Sequence, residues 1–399
     1  MIIKNNYGHT IRASYIGYIT QAIINNFAPL LFLTFQREPY NIPLGQITLL
    51  VSLNFAAQLI VDALAVKFAD YIGYKPLAVT AHICAASGLA GLAFLPGIMP
   101  SPFSGLLASV IIYAIGGGLI EVLISPIVEA CPTEESKKSS VMSLLHSFYC
   151  WGLVFVIIAS TLFFVFFGIE NWRILACLWA VIPSFNAFYF SRVTVFTLTA
   201  KEESMSVGKL ASSKLFWILI ILMVCSGASE QAMIQWASVF AEAGLKISKT
   251  MGDLAGACLF AVLMGISRVF YAKFSEKINL RKFILRSGIL CAVSYTLASL
   301  SPNPVISLIG CALCGLSVGI MWPGTFSIAA RTCPKGGTAL FALLALGGDL
   351  GCSAGPAVVG FVSGITGGDV KTGILSGIIF PLVLILCIAS LSKIREKPG

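Results

Sequence analysis

The sequence predicts an all-α integral membrane protein with twelve transmembrane helices in two six-helix halves. Three observations carry this. Of 399 residues, 57% are hydrophobic and 11% charged, with a mean hydropathy of +0.92, against roughly 45–50% apolar and about 25% charged in a soluble domain. Apolar stretches long enough to cross a bilayer, about 20 residues each, recur along the whole chain. The basic residues are divided unequally between the loops of the two sides. So few charges cannot cover a water-facing surface, which excludes a soluble enzyme, a nucleic-acid binder and a disordered tail. The net charge of +9 is therefore read through loop topology, with a lipid bilayer and not a nucleic acid as the partner.

The twelve stretches lie at 12–35, 44–66, 76–97, 103–130, 140–167, 172–193, 214–242, 252–274, 282–300, 304–331, 336–366 and 371–391. They are continuous, unlike outer-membrane strands, which alternate over about 10 residues. Those at 103–130 and 336–366 are rich in Gly and Pro and are expected to tilt or kink. With the N-terminus in the cytoplasm, twenty of the 26 Lys and Arg face that side. Five (Arg37, Arg173, Lys246, Lys249 and Lys371) face the other, and Arg268 lies within span 8. This bias places both termini in the cytoplasm and supports the count, because a missed span would scramble every later loop. Met1 to Thr10 are polar without a cleavage pattern, so no removable signal peptide is expected. The expected location is the cell membrane, the inner one in a Gram-negative cell.

The longest polar break, 194–213 around Thr199-Ala200-Lys201-Glu202-Glu203-Ser204, divides the chain into an N-terminal bundle (1–193), a central cytoplasmic loop (194–213) and a C-terminal bundle (214–399) with a short tail. The halves resemble each other. Lys67-Phe68-Ala69-Asp70-Tyr71-Ile72-Gly73-Tyr74-Lys75 follows span 2, and Lys273-Phe274-Ser275-Glu276-Lys277 follows span 8 at an offset of 206. Cys131-Pro132 and Cys333-Pro334 follow spans 4 and 10 at an offset of 202. Repeated halves put a substrate site at their interface near the bilayer midplane.

Asp70-x-x-Gly73-x-Lys75, between spans 2 and 3, resembles the loop signature of the major facilitator superfamily, with Tyr74 where Arg is common. The resemblance implies a monomeric secondary transporter that rocks its halves. Asp70, Gly73, Lys75 and the repeat acid Glu276 would then latch the cytoplasmic side.

A charge at mid-membrane costs about 2.5–3.5 kcal/mol or more, so intramembrane ionisable residues are functional candidates. They are Asp62, Glu121, Glu129, Glu230, Arg268 and Asp349, with His82 and His146. Glu121 stands in Gly116-Gly117-Gly118-Leu119-Ile120-Glu121-Val122-Leu123-Ile124-Ser125-Pro126 of span 4. The glycines allow close helix approach, Pro126 frees a carbonyl, and desolvation disfavours the carboxylate, so the group can bind a proton on one side and release it on the other. Glu-x-x-x-Ser-Pro, followed by Leu144-Leu145-His146-Ser147-Phe148-Tyr149-Cys150-Trp151-Gly152, resembles the fucose permease branch, the fucose–galactose–hexose:proton symporters. That branch carries Glu-x-x-x-Asn-Pro, a polar span-5 motif and an Asn-Asn in span 1, matched by Asn25 and Asn26. Pro29 replaces its acid three residues on. The resemblance implies a proton and sugar site at Glu121.

Gln231 and Gln235 of span 7 share a helix face beside Trp236, with Glu230 turned about 100° from it. Amides suit hydroxyls and an indole suits a sugar ring; Trp322 of span 10 is a second such face. Tyr18, Gln21 and Asn25 share one face of span 1 and are expected to line the cavity with Tyr149. His146 is positioned to relay a proton to Glu121, and Glu230 is the reserve acid. His82 is expected to be structural. Asp62 and Arg268 hold equivalent repeat positions and are expected to pair across the interface as a cytoplasmic gate, with Asp349 one partner for Arg268.

Three histidines without metal-ligand spacing, no GxSxG and no phosphate-cradling loop speak against an enzyme. Cys311-x-x-Cys314, on one helix without His or acidic company, reads as packing, not a metal site. The favoured function is proton-coupled symport of a small polar solute, most like a sugar, with no cofactor beyond the coupling ion. A drug/proton antiporter and a sodium-coupled symporter are the alternatives; the antiporter would favour an apolar aromatic cavity over amides.

Overall fold

A backbone in hydrocarbon has no water to bond, so each apolar stretch coils into helix and satisfies its own polar groups. The computed structural model describes residues 7–37, 39–132, 138–195, 205, 207–274, 277–333 and 336–393. It contains twelve membrane-length helices: Tyr7–Gln36, Leu44–Ala65, Tyr74–Ile98, Pro102–Glu129, Leu144–Phe167, Ile169–Arg192, Lys214–Gly244, Lys249–Phe274, Leu280–Leu300, Pro304–Ala329, Ala342–Ile365 and Val370–Leu391. These are spans 1 to 12. Several overrun the apolar stretches: span 1 opens at Tyr7, not residue 12, and the helix of span 2 continues to Ile72. Helical hydrogen bonding continues past the point where side chains cease to be apolar. Glu276 and most of the central loop lie outside the described residues.

Among the described residues spans 1, 7, 10 and 12 are interrupted, span 12 between Ser376 and Ile379, and span 8 carries a π-helical stretch at Asp253–Cys258. In span 1 a 3₁₀ turn occupies Ala28–Leu31, where Pro29 has no N–H to offer. Span 7 breaks at the equivalent place, its helix ending at Ile234 before a π-helical turn at Phe240–Gly244. Span 10 breaks between Val318 and Met321. The expected kink in span 4 does not break it, as Pro126 sits inside a continuous helix Pro102–Glu129.

Spans 1 to 6 pack among themselves, as do spans 7 to 12; the halves meet chiefly where span 2 lies along span 11 and span 5 along span 8. Outward faces carry Ile60, Phe166, Phe185 and Leu386 to lipid, each more than half exposed. Gly73, between spans 2 and 3, has φ 93°, so the turn of the loop signature needs a residue without Cβ. Asp70 lies in the last turn of the preceding helix, which runs to Ile72, while its side chain lies outside the described residues. Asp369 caps span 12: its carboxylate accepts from Thr372 Oγ1 at 2.5 Å and from the Lys371 amide at 3.0 Å, which holds its pKa below the ordinary value.

The halves touch on the face away from the termini. There Arg37 Nη2 reaches Glu242 Oε1 at 2.6 Å, and Ser353 Oγ donates to the Ser52 carbonyl at 3.2 Å. The molecule is thus sealed on the face opposite its termini.

Helix contact within the halves relies on small residues. A Cβ on Gly310 of span 10 would stand 2.6 Å from the Ala298 amide nitrogen and 2.9 Å from the Ser294 carbonyl oxygen of span 9. Gly310→Val should therefore force spans 9 and 10 apart at about 1–3 kcal/mol, read as a lowered thermal midpoint in detergent; an unchanged midpoint would contradict this packing.

Candidate functional site

Between the halves lies a small cavity. Its walls come from spans 1, 2, 4 and 5 of one half and 7, 8, 10 and 11 of the other. Span 1 contributes Tyr18, Gln21 and Asn25, and span 2 Phe55 and Gln58. Glu121, His146 and Tyr149 follow from spans 4 and 5. The second half supplies Glu230, Gln231, Arg268, Trp322, Asp349 and Cys352. Eight spans meet here because the other four are turned to the outside of each bundle.

Arg268 organises the second half of the site. Its Nη2 donates to Glu230 Oε2 at 3.1 Å, its Nε to the Gly319 carbonyl at 3.1 Å and its Nη1 across the interface to the His146 carbonyl at 3.0 Å. The Gly319 carbonyl is available because span 10 breaks there. The expected pairing of Arg268 with Asp349 is thus corrected: its carboxylate is Glu230, in its own half. Asp349 instead faces Asp62 across spans 2 and 11, so Asp62 meets an acid and not the cation expected of a gate.

Glu121 accepts a short hydrogen bond from Gln21 Nε2 and keeps partial exposure into the cavity. Beside it, Tyr18 OH meets Ser125 Oγ at 2.9 Å, and Ser125 Oγ lies 3.5 Å from His146 Nε2. Asn25 Oδ1 accepts from Gln58 Nε2 at 2.9 Å and Asn54 Nδ2 at 3.2 Å. Gln235 Nε2 donates both to the Asn25 carbonyl and to Gln231 Oε1, each at 3.0 Å, which ties span 7 to span 1 at their interruptions. Among the described residues three buried polar atoms on the lining side chains lack a partner: Trp322 Nε1, a donor, and Gln21 Oε1 and Asp349 Oδ2, acceptors. Among the described residues no cluster of His, Cys, Asp and Glu is arranged to hold a metal.

The other expected solute contacts are placed elsewhere. Trp236 is wholly buried, with Nε1 donating to the Pro356 carbonyl at 3.1 Å and its ring 6.3 Å from that of Phe32 in span 1, so its indole packs between the halves and does not line the cavity. Asn26 donates to Tyr149 OH at 3.2 Å and positions that phenol without lining the space. Gln235 closes the cavity from above. His82 is bound to the Ala78 carbonyl at 2.7 Å and Asn186 at 2.8 Å, remote from the cavity. Cys314 of the CxxC faces Cys291 at 3.9 Å between sulfurs, within the second half. Sequence reasoning missed Asn54, Phe55, Gln58, Ser125 and Cys352. A signal existed for two of these: Asn54 and Gln58 stand four apart in line with Asp62 and make one polar face on an otherwise apolar span 2.

The Arg268–Glu230 pair is buried on both sides, so removing one partner strands the other. Arg268→Met should cost about 3–5 kcal/mol, read by thermal unfolding in detergent, and the double change Arg268→Met/Glu230→Gln should recover part of it. Equal losses in the single and double variants would contradict the pairing.

Comparison with known proteins places this geometry in a lineage. The family model of the Major Facilitator Superfamily matches residues 14–356 and 243–399. No curated protein sequence matches the chain. Among solved structures, a variant of the E. coli fucose:proton symporter FucP is similar at 16% identity and TM-score 0.70, covering 99% of this chain and 100% of that one. FucP in the outward conformation is 16% identical at TM-score 0.69, covering 97% and 99%. A bacterial homologue of the human lysosomal transporter Spinster, inward-facing and occupied, is 13% identical at TM-score 0.74, covering 99% and 100%. At these identities the likeness is one of fold, and the chain belongs to the Major Facilitator Superfamily of membrane transporters.

Proposed function

We propose that this transporter carries a small, uncharged polyhydroxylated solute, most like a sugar, together with a proton by alternating access. The observation that carries the reading is the cavity itself: three carboxyls line it against one guanidinium, and amides flank them. Arg268 is engaged by Glu230 and two carbonyls, and it is the one cation among the described lining residues. The Gln21 and Gln231 amides and Tyr149 OH offer hydroxyl groups both donors and acceptors. Trp322 presents an indole with an unpartnered N–H, suited to one face of a sugar ring. The printed description of FucP as a fucose:proton symporter agrees with this chemistry.

Glu121 carries the coupling proton. Protonated, it is a neutral neighbour for a hydroxylated solute and its hydrogen bond to Gln21 joins spans 4 and 1. Deprotonated, it leaves an anion beside Asp349 and Glu230 in a poorly hydrated space, a cost that favours reopening to water. Tyr18, Ser125 and His146 form a chain of exchangeable groups beside it. The loop charges orient both termini to the cytoplasm, so the sealed face looks outward and the cavity serves the inside. One chain holds a complete site, as a monomer would.

A second reading has its own support. Excess carboxyl in the cavity also suits a cationic drug exchanged for protons, and carboxylates near the Pro126 backbone could hold sodium. The experiment is solute-driven proton uptake in proteoliposomes with hexoses, deoxyhexoses, amino sugars and polyols, on wild type and Glu121→Gln. A sugar should move protons in wild type, while the variant exchanges that sugar across the membrane with proton uptake at background. Proton uptake surviving in Glu121→Gln would move the coupling to Glu230 or His146. Proton efflux driven by cationic drugs, with no response to sugars, would establish the antiporter instead.

A further inference from the structure

Spans 2 and 11 lie against each other across the two halves, and at their contact Asp62 and Asp349 approach within hydrogen-bonding reach of one another. Asp62 is wholly buried and neither of its oxygens receives an N–H or O–H donor from the described residues; Asp349 is 4% exposed and its Oδ2 is likewise unpartnered. From span 4, Gly118 backs onto Asp62, where a Cβ would stand 3.0 Å from Oδ1. The other titratable groups facing the pair are Glu121 of span 4, Cys352 of span 11 and Tyr18 of span 1. Arg268, across the cavity, is engaged by Glu230. Among the described residues no cation is placed to neutralise two carboxylates here.

Two ionised carboxylates cannot share such a place, because each is a pure acceptor and both carry the same charge. One proton resolves both problems at once, giving a charge-assisted O–H···O⁻ bond from one half to the other. We propose that Asp62 and Asp349 form a second proton-binding site, shared between the halves, whose proton ties span 2 to span 11 and holds the outer face shut. The proposal rests on the rocking of the halves put forward above, and its test needs no solute, so it fails separately from the identity of the cargo.

The same two helices carry the seal itself, through Ser52 with Ser353 and through the close approach of Gly360 to Thr48. When the outer face opens, spans 2 and 11 part and each carboxyl meets water alone. A proton taken from that side lets the acids rejoin. Asp349 also lines the cavity, so the proton can leave to water on the other side, and the two carboxylates it leaves behind repel across the interface.

Leu49 and Phe361 stand beside that seal and face outward, 43% and 68% exposed. Spin labels carried there on non-natural side chains, which spare the native cysteines, report the separation of spans 2 and 11 by pulsed electron resonance in liposomes without solute. Between about pH 5 and about pH 9, the closed-to-open ratio of the wild type should fall by up to about tenfold per pH unit for one linked proton. Asp62→Asn/Asp349→Asn should stay closed throughout, since two amides bond without a proton. If the double variant fails to fold, infrared difference spectra of the wild type must lose a protonated-carboxyl band over the same pH interval as the separation changes, and Asp349→Asn must lack that band. A double variant that titrates like wild type, or a wild type indifferent to pH, would overturn the proposal. So would closure at high pH on replacing potassium with sodium, which would make the pair a metal-ion site.

Discussion

The shortage of counter-charge at the membrane centre governs this molecule. Glu121, Glu230, Asp349 and Asp62 stand in or behind one cavity, and Arg268 is the one guanidinium among the lining residues. Burying charge in a low dielectric is costly unless each charge is paired. Arg268 is saturated by Glu230 and two carbonyls, which leaves three carboxyls to be answered by hydrogen bonds, by protons or by cargo. The Gln21 amide answers one face of Glu121. No N–H or O–H donor among the described residues reaches either oxygen of Asp62 or the Oδ2 of Asp349. A site of this kind exchanges cations with solution as it opens and closes, because the two conditions differ in the water they supply.

The fold makes that exchange directional. Interruptions in spans 1 and 7 fall at repeat-equivalent positions, Pro29 and Gln235, and the Gln235 amide closes the gap by donating to the Asn25 carbonyl. The break in span 10 frees the Gly319 carbonyl for Arg268. In these three spans the irregular backbone lies where it lines the cavity or meets a partner, as backbone at this depth requires. Spans 2 and 11 supply the seal on one face, and the acids between them lie where sealing and proton occupancy act on the same contact.

Much of the fold was legible in the sequence, because length and hydropathy are local properties that a bilayer reads residue by residue. The polar face of span 1, Tyr18, Gln21 and Asn25, was also legible, since i, i+3 and i+7 spacing on a helix fixes a common side. Partner choice was not. Arg268 had Asp62, Asp349 and Glu230 within plausible reach, and helix rotation and depth, which one-dimensional spacing does not carry, selected Glu230. Trp236 escaped for a related reason. The helix of span 7 ends at Ile234, so the indole beyond it turns toward Pro356 while Gln231 stays on the cavity wall. Asn54 and Gln58 were missed although their spacing with Asp62 announced a polar face, because attention to charges passed over amides four residues apart.

The account turns on whether positive charge accompanies an uncharged solute through the acid-rich centre. The most direct measurement is the sign of the current that a transported sugar evokes across a supported membrane at symmetrical pH. Movement of positive charge in the direction of the solute is the predicted result. A current of opposite sign, or sustained sugar flux with no current, would contradict it.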